Sequence, residues 1–589
     1  MIKIKQMLSP VSLGLRKWTT VIATCTLSLT GIAQGPYFNW VKQLGSVADS
    51  DQSFLVMEPD GSLLTAGLFE GSADFDHTDS ELMFNASSSK DIFITKTAPN
   101  GDFIWAKQIS SINNLDNLYL NALINDDQGN FYMTGSYIST VDFDPDPQVE
   151  YLVDEVDPSN YDQDIFIAKY NPDGNLIWVK TIGSFNTDFG RSLEITSNGH
   201  LIVTGEFEYN VDFDPGPEVA TLSTLNNSIF ILTLTEDGEY VDAKFISGST
   251  NSLDVYRTKI DANDNLYLVG GFYGTVDFDP GQATYSVTAS GSGATRFICK
   301  LDHNLSCVWA KRLNVTSLSA VIRDFEIDAD ESILMAGSFW GGIDLDPADD
   351  ASFDLVSAGY SDSFVAKLDA TGTFVWGKQF GGTDSDEAIA IEFTNQGQLL
   401  VGMNIRSTSL DIDPGMDIQL LTNGGSYDLA LVELSNNGDF INYTHITGSQ
   451  IQQVNDLVVT PTAVYTSGTF AGSTDFDPGT GVTSLYPDES WDYFIHKMSF
   501  IPSHVENRKT ETQMILYPNP TNGIVNISMV GTKENMTVEV YDYIGTLLDR
   551  MNTKNQTITI DLTQMPSGVY MIKSLDTDGN IITQTVIKQ

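Results

Sequence analysis

The chain has 589 residues, of which 41% are hydrophobic and 11% aromatic, a globular composition that permits one large domain or several. Asp and Glu number 78 against 30 Lys and Arg, which gives a formal net charge of −48. Because such a surface repels phosphate backbones, we expect no nucleic-acid partner. The acidic surface suits divalent cations, and it equally suits solubility outside the cell.

The N-terminal segment has the pattern of a secretory signal. Lys3, Lys5, Arg16 and Lys17 precede the uncharged run TTVIATCTLSLTGIAQ. A basic leader before a moderately apolar run with small residues at its end is typical of a signal peptide. We therefore expect residues 1–34 to be removed on export, and the mature chain to carry no transmembrane segment.

A short acidic motif recurs along the rest of the chain. VDFDPGP at Val211 has six counterparts, which read ADFDHTD at Ala73, VDFDPDP at Val141, VDFDPGQ at Val276, IDLDPAD at Ile343, LDIDPGM at Leu410 and TDFDPGT at Thr474. The first aspartates of successive copies are 64 to 70 residues apart, which is long enough for four strands with their connections. A regular spacing of this length indicates a repeat architecture.

Each repeat predicts four strands, which we label A, B, C and D. SLEIT, LIVTG, DIFIAK and LIWVK are examples of the four. Breaks such as SNG and NPDG between alternating apolar runs predict β-hairpins, and no helical periodicity of useful length occurs, so we expect an all-β chain. Tryptophans recur at one position of strand D and predict packing between repeats: Trp40, Trp105, Trp178, Trp309 and Trp376.

The two ends of the repeat region complement each other. Strand D occurs first at Trp40 with no strand C before it, and strand C occurs last at Asp492 with no strand D after it. If the repeats close into a ring, the N-terminal strand becomes the outermost strand of the last blade. Radial repetition with short edges is how a propeller avoids exposed sheet. We therefore predict a seven-bladed β-propeller over residues 35–499.

Two stretches carry a resemblance to a known repeat. DIFITKTAPNGDFIWAKQI, from Asp91 to Ile109, is followed by INDDQGNFYMTGSY, from Ile124 to Tyr137. Together they resemble the SBBP β-propeller repeat of bacterial exported proteins. The resemblance implies propeller architecture and export, and it implies no particular ligand or reaction.

The pattern changes after Ser499. Residues 500–513 are polar and irregular and predict a linker. Residues 514–589 contain short alternating strands with turns such as PTNG and PSG, which predict a small Ig-like β-sandwich.

The same C-terminal residues resemble a secretion signal of a different kind. The YPNP sequence that starts at Tyr517, the segment from Pro566 to Tyr570 and the lysine near the end are similar to the type A C-terminal sorting domain of the Bacteroidota type IX secretion system. The resemblance implies that residues 514–589 bind the type IX secretion machinery. It also implies that the product is secreted or attached to the outer-membrane surface.

The acidic motif is the candidate metal site. In an extended segment residues i and i+2 face the same way, so the two aspartates of the motif project together. Paired carboxylates supply part of the six to eight oxygen ligands that Ca²⁺ takes. The alternative is a structural turn, because Asp readily accepts hydrogen bonds from turn backbone. The candidate ligands are Asp142, Asp144, Asp212, Asp214, Asp277, Asp279, Asp344, Asp346, Asp411, Asp413, Asp475 and Asp477.

No motif indicates catalysis. The six histidines are scattered, and no nucleophile elbow, HExxH or phosphate loop occurs. The leading hypothesis is a secreted or cell-surface propeller that is not an enzyme, that binds an extracellular protein or glycan, and that Ca²⁺ stabilises. The alternative is an extracellular hydrolase or lyase that acts on polysaccharide, since paired carboxylates could carry glycoside hydrolysis.

Two cysteines remain after the predicted leader. Cys299 and Cys307 lie in one predicted hairpin, close enough for a cross-strand disulfide, but a register shift of one residue would place them on opposite faces. The sequence leaves their pairing open.

Overall fold

The computed structural model describes residues 36–500 and 513–588, apart from short internal gaps. The gaps are residues 48–51, 79, 87–89, 113–117, 147–150, 154–161, 251, 291–294, 316–318, 488–489, 518–520, 531–535, 543–545, 554–556 and 577–580. The predicted signal peptide and residues 501–512 of the predicted linker lie outside the described residues. The chain divides into two compact units, Met1–Ile501 and Pro502–Gln589.

Every regular element of the described residues is a β-strand, as predicted. The first is β1 (Tyr37–Val47). The next twelve are β2 (Ser53–Met57), β3 (Leu63–Phe69), β4 (Ser72–Asp74), β5 (Met83–Asn85), β6 (Asp91–Thr97), β7 (Phe103–Ser111), β8 (Leu118–Asn125), β9 (Phe131–Tyr137), β10 (Val141–Asp142), β11 (Leu152–Val153), β12 (Asp164–Tyr170) and β13 (Leu176–Ile182).

The pattern continues through the middle of the chain. Twelve more strands are β14 (Phe189–Ile195), β15 (Leu201–Phe207), β16 (Asn210–Asp212), β17 (Thr221–Ser223), β18 (Ser228–Leu234), β19 (Tyr240–Gly248), β20 (Leu253–Ile260), β21 (Leu266–Phe272), β22 (Thr275–Asp277), β23 (Ser286–Thr288), β24 (Thr295–Leu301) and β25 (Cys307–Val315).

The first unit ends with seventeen strands. They are β26 (Ser319–Ile327), β27 (Ile333–Trp340), β28 (Gly342–Asp344), β29 (Asp354–Val356), β30 (Asp362–Leu368), β31 (Phe374–Phe380), β32 (Asp386–Phe393), β33 (Leu399–Ile405), β34 (Ser409–Asp411), β35 (Leu420–Thr422), β36 (Asp428–Leu434), β37 (Phe440–Gly448), β38 (Ile451–Val459), β39 (Ala463–Ala471), β40 (Thr474–Asp475), β41 (Ser484–Leu485) and β42 (Trp491–Ser499).

These strands form antiparallel groups of four main strands, which we number as sheets 1 to 7. In sheets 1 to 6 the strands A, B, C and D lie side by side in chain order, and a short hairpin connects B to C. In sheet 7 the order is β38, β39, β42 and then β1. Tyr37 lies opposite Ser499 and Leu44 opposite Tyr493, so the N-terminal strand supplies strand D of the last sheet.

The seven strands A contact one another in a closed circuit. They are β2, β8, β14, β20, β26, β32 and β38, and each contacts the next, including β38 with β2. The same type of hydrogen bond occurs at three of these contacts between neighbouring strands A. In each, a side-chain oxygen accepts from a backbone amide of the next strand A. The pairs are Ser192 with Thr258 N at 3.3 Å, Asp324 with Ile391 N at 3.0 Å, and Asp456 with Leu55 N at 2.9 Å.

Strand D joins neighbouring sheets through its tryptophan. The indole of Trp178 donates to Glu236 O at 3.2 Å, in the C–D turn of the next sheet. The ring packs against Gly238 of the same turn, since a Cβ on Gly238 would lie 3.2 Å from the indole. The equivalent bonds are Trp40 to Pro99 O, Trp309 to Ala370 O and Trp376 to Asn436 O. The recurrent tryptophan therefore packs between sheets, as the sequence predicts.

A glycine in strand B allows strand A to bulge. A Cβ on Gly205 would lie 1.8 Å from the carbonyl oxygen of Phe189 and 2.8 Å from the ring of Phe230. In this sheet the absence of a side chain gives the carbonyl room to approach, whereas Met403 holds the equivalent position in sheet 6, opposite the bulge of β32. A bulge then follows in β14 between Gly190 and Ser192, and the extra residue is Arg191. Bulges at the equivalent position occur in β8, β20, β26, β32 and β38.

We expect Gly205→Ala to destabilise the protein by about 2–3 kcal/mol, because the methyl group would collide with backbone that cannot move aside cheaply. Gly402 is the control, since it lies in strand B of sheet 6, one position before the equivalent of Gly205, and its Cβ would meet side chains at 3.2 Å instead of a carbonyl. Gly402→Ala is expected to cost no more than about 1 kcal/mol. Chemical denaturation of the two variants measures the difference, and equal losses would contradict the role of the carbonyl.

The second unit contains two smaller sheets. Its strands are β43 (Gln513–Tyr517), β44 (Ile524–Val530), β45 (Met536–Tyr541), β46 (Leu547–Thr553), β47 (Thr557–Asp561), β48 (Gly568–Asp576) and β49 (Ile581–Lys588). One sheet has the order β43-β44-β47 and the other β46-β45-β48-β49. Apolar residues such as Val525, Val540 and Ile572 are fully buried in a shared core. The buried ammonium of Lys588 donates to the carbonyl oxygens of Thr563 and Met565.

Within the described ranges, no helix is long and apolar enough to cross a membrane. Cys299 and Cys307, the two cysteines of the predicted hairpin, are free thiols. Cys299 is buried and Cys307 packs against the same hydrophobic cluster.

Candidate ligand-binding site

The aspartate motifs lie in the short hairpins between strands B and C. Several of these hairpins pair with the end of strand D of the preceding sheet, where Asp277 lies opposite Ser247, Asp344 opposite Asn314 and Asp475 opposite Thr447. Because strand D is the far strand of each sheet from strand A, the pairing places these motifs away from the strand A circuit. The two aspartates of one motif are neighbours, whereas different motifs belong to different sheets.

Each motif holds its own hairpin together. Asp212 Oδ1 accepts hydrogen bonds from Asp214 N at 3.2 Å and from Ala220 N at 2.8 Å, and Asp214 Oδ1 accepts from Gly216 N at 2.7 Å. Phe213 between them is fully buried and lies 4.9 Å from the ring of Phe230. The first aspartate accepts the same two kinds of bond in the other copies, at Asp74, Asp142, Asp277, Asp344, Asp411 and Asp475.

The second aspartate of each motif also accepts a bond from the turn. The acceptors are Asp76, Asp144, Asp279, Asp346, Asp413 and Asp477. Among the described residues, no three His, Cys, Asp or Glu side chains come together in a way that could hold a metal ion. These contacts support the turn interpretation of the motif, and binding of Ca²⁺ by the motif stays a prediction.

The two interpretations are separated by conservative variants of Asp212. Asp212→Ala removes the acceptor of two backbone amides, so we expect a loss of about 1–3 kcal/mol. Asp212→Asn keeps an acceptor oxygen and is expected to retain most of that stability with a chelator present. Thermal melts with Ca²⁺ and with a chelator complete the test, because a bound ion must raise the midpoint. A Ca²⁺-dependent rise that disappears in Asp212→Asn would assign a metal site to this motif.

A different site lies inside the circuit of strands A. One cavity of about 280 Å³ is lined by residues from all seven strands A, and it therefore lies at the centre of the circuit. Its charged lining residues are Glu194, Arg257, Lys259, Asp324, Glu392 and Asp456, and Phe54, Ala122 and Ile124 form an apolar wall. We call it the acidic cavity.

The charges of the acidic cavity are coupled. Lys259 forms an ion pair with Glu326. Burial raises the pKa of Glu194 to about 8 and that of Asp456 to about 6, against the opposing effects of Lys259 and Arg257 respectively. Burial also raises the pKa of Glu392. Acidic groups whose pKa is raised by burial are held in a low-dielectric space, where further negative charge is costly.

A second cavity, of about 360 Å³, is lined by strand A residues of sheets 2 to 5 and by their neighbours. The extra residue of the bulge in each of these four sheets lines it: Asn121, Arg191, Tyr256 and Arg323. Arg257 lines this cavity as well as the acidic cavity. Because three arginines line it, we call it the arginine cavity.

Two of the three arginines are held by acids. Arg191 Nε donates to Glu206 Oε2 at 2.7 Å, and the other oxygen of Glu206 accepts from Val255 N at 2.9 Å. Arg323 donates to Glu387 at 3.1 Å. Burial raises the pKa of Glu206 to about 7, and Arg191 partly offsets that increase.

The third arginine is not held in this way. The side chain of Arg257 makes no hydrogen bond and no ion pair within 4.0 Å with another described residue. Its guanidinium acts on Glu194 and Asp456 only through space. In addition, the Nε of Arg323 is buried without a hydrogen-bond partner among the described residues. The arginine cavity therefore offers unused donors for an anionic group.

Sequence reasoning missed these residues because it looked for unusual residues in loops. The cavity residues lie within strand A. At these positions the residue type differs from repeat to repeat, whereas the flanking residues follow the common pattern. The bulge residue reads Asn, Arg, Tyr, Arg, Ile and Asn from sheet 2 to sheet 7. An alignment of the repeats on the whole of strand B would have shown this variation.

Comparison with known proteins assigns the C-terminal residues. Residues 515–589 match the family of secretion system C-terminal sorting domains. The protein carries a type IX sorting domain, and this confirms the prediction made from the YPNP and PSGVY motifs. Such a domain directs export to the cell surface or to the medium.

Part of the chain is also similar to a viral protein. An uncharacterised WD repeat-containing protein of Acanthamoeba polyphaga mimivirus is 26% identical over 215 residues, which is 33% of this chain and 15% of that protein. The chain thus matches less than a fifth of the length of that relative.

The chain is also similar, with low TM-scores, to several solved structures. PorZ, an essential surface component of the type IX secretion system of Porphyromonas gingivalis, is 12% identical, covers 93% of this chain and 100% of its own, and has a TM-score of 0.15. Sqt1 of Chaetomium thermophilum is 11% identical, covers 78% of this chain and 93% of its own, and has a TM-score of 0.29.

Proposed function

We propose that this protein is a seven-bladed β-propeller of the SBBP-repeat type, exported through its sorting domain, that binds an extracellular protein or glycan at the arginine cavity. The architecture is supported by seven groups of four antiparallel strands, by the circuit of strand A contacts and by the pairing of β1 with β42. The WD repeat named for the viral relative is itself a propeller blade. The Ig-like sandwich that we propose for the second unit is supported by its two sheets and their common core.

One observation carries the binding function. The arginine cavity is lined by side chains that differ from repeat to repeat, although the strands that present them repeat closely. Residues that only hold a repeat together are duplicated with it, as the aspartate motifs and the tryptophans are. A set of unlike polar side chains around one concave space is the usual form of a ligand site.

The alternative is a hydrolase or lyase that acts on polysaccharide. Glycoside hydrolysis needs two carboxyl groups that are available to the substrate. In the arginine cavity both oxygens of Glu206 accept hydrogen bonds from the protein, which leaves Asp254 as the other carboxyl group in the lining. This arrangement favours binding over catalysis, and we propose that the protein is not an enzyme.

The test is a binding assay of the full mature protein on an array of extracellular glycans and proteins. We expect saturable binding that is lost in Asn121→Trp, because an indole would fill the cavity. Ile177→Trp adds the same bulk on the exposed outer strand, where Ile177 is 49% exposed, and it should bind normally. Absence of any ligand would overturn the proposal, and release of shortened oligosaccharides would favour the enzymatic alternative.

A further inference from the structure

We infer that the arginine cavity selects a sugar that carries an anionic group, either a carboxylate or a phosphate, and that Arg257 is the residue that binds this group. The inference rests on the proposed binding function and names the ligand class.

The first argument is the state of Arg257. Acidic residues outnumber basic residues in this chain by 78 to 30, so an arginine would easily find an acidic partner. Arg257 is half-buried and yet its guanidinium forms no ion pair or hydrogen bond with the described residues. A partly desolvated guanidinium without a partner is a strong site for a bidentate carboxylate or phosphate.

The second argument is the position of the other two guanidinium groups. Arg191 and Arg323 come from the bulges of the two sheets that flank the sheet of Arg257, and all three line one cavity. The positions of Arg191 and Arg323 are fixed by Glu206 and Glu387 at 2.7 Å and 3.1 Å. Fixed donors lose little entropy when a ligand binds, and the buried Nε of Arg323 is one such unused donor.

The third argument concerns the rest of the lining and the size of the space. Gln52 and Asn121 supply amide groups, and Tyr256 supplies an aromatic ring that also faces Arg296 at 5.7 Å. Amides and an aromatic ring suit hydroxyl groups and the flat face of a sugar. A volume of about 360 Å³ is at the small end of the range for ligand sites, so it accommodates one or two sugar units.

The surrounding charge limits the ligand further. The acidic cavity adjoins the arginine cavity at Arg257 and contains Glu194, Glu392 and Asp456. A polyanion would be repelled both there and by the acidic surface of the protein. A ligand with one anionic group can reach Arg257 because salt screens the more distant charges beyond about 8 Å.

The test is ligand-detected NMR with the full mature protein and three probes: glucuronate, glucose 6-phosphate and glucose. We expect glucuronate or glucose 6-phosphate to bind at least about tenfold more tightly than glucose, which corresponds to one charge-assisted contact. Whichever of the two anionic probes binds more tightly identifies the anionic group. Arg257→Gln should abolish the preference for charge.

Arg312→Gln is the matched control. Arg312 lies on the outer strand β25, where it pairs with Asp349 at 2.7 Å, and its loss should leave the preference unchanged. Equal binding of all three probes, or a preference that survives Arg257→Gln, would overturn this inference while the binding function stands. If none of the probes binds but the array finds a ligand that Asn121→Trp excludes, the ligand class is wrong and the site is right. If the array also finds no ligand, the proposed function fails as well.

Discussion

Removal of residues 514–589 is expected to keep the protein inside the cell envelope. The sorting-domain match covers residues 515–589, and a chain that lacks it retains only the predicted signal peptide, which leads to the periplasm. We therefore expect surface and secreted protein to fall below detection while periplasmic protein accumulates. Fractionation and protease treatment of intact cells measure the distribution.

The matched control moves the same residues to another cargo. A fluorescent protein that carries a signal peptide and residues 514–589 should reach the surface, since this segment forms a compact unit of its own. Lys588→Met gives a finer test, because the ammonium donates to the carbonyl oxygens of Thr563 and Met565 and thereby fixes the last strand. Normal surface delivery of the chain without residues 514–589 would contradict the role of the sorting domain.

Loss of the N-terminal strand is expected to have the largest effect on stability. Deletion of residues 37–47 removes β1, leaves β42 as an unpaired edge and exposes the core that Leu44 fills at 0% exposure. A sheet that loses a strand loses both its hydrogen bonds and the burial of one face. We expect the thermal midpoint to fall by about 10 °C or more, or the protein to aggregate during expression.

A rearranged chain distinguishes strand pairing from simple truncation. Tyr37 lies opposite Ser499, so β1 can be placed directly after β42 through a short turn. This permuted chain contains all the strands and should recover most of the lost stability, because the same antiparallel pairing forms as a hairpin. If the permuted chain is as unstable as the deletion, the pairing of β1 with β42 is not what holds sheet 7 together.

The joint between sheets 7 and 1 depends on a tertiary hydrogen bond as well as on β1. Asp456 accepts from Leu55 N at 2.9 Å, and Asp324 makes the same bond to Ile391 N at 3.0 Å between sheets 5 and 6. The first bond joins residues about 400 positions apart in the chain. Its formation has to overcome a large loop-closure entropy, and strand β1 helps by tying both chain ends of the first unit to one sheet.

The sequence by itself determined the repeat and its strands. Alternating apolar residues and turn residues recur with each copy of the acidic motif, and this periodicity is local, so all-β structure and antiparallel hairpins follow from it. The orphan strands at Trp40 and Asp492 predicted the partner of the N-terminal strand, and the structure pairs β1 with β42. The motifs of the last residues predicted the sorting domain, because they lie close together in the chain.

Only the tertiary structure decided where a ligand could bind. The sequence predicted a metal site at the aspartate motifs because their paired carboxylates recur, but these carboxylates accept hydrogen bonds from the backbone of their own turns. The arginine cavity combines Arg191, Arg257 and Arg323, which are separated by 66 residues in each step and meet only when strands A pack side by side. Whether an arginine stays unpaired depends on which acids the fold brings near it, and that information is spread over sheets far apart in the sequence.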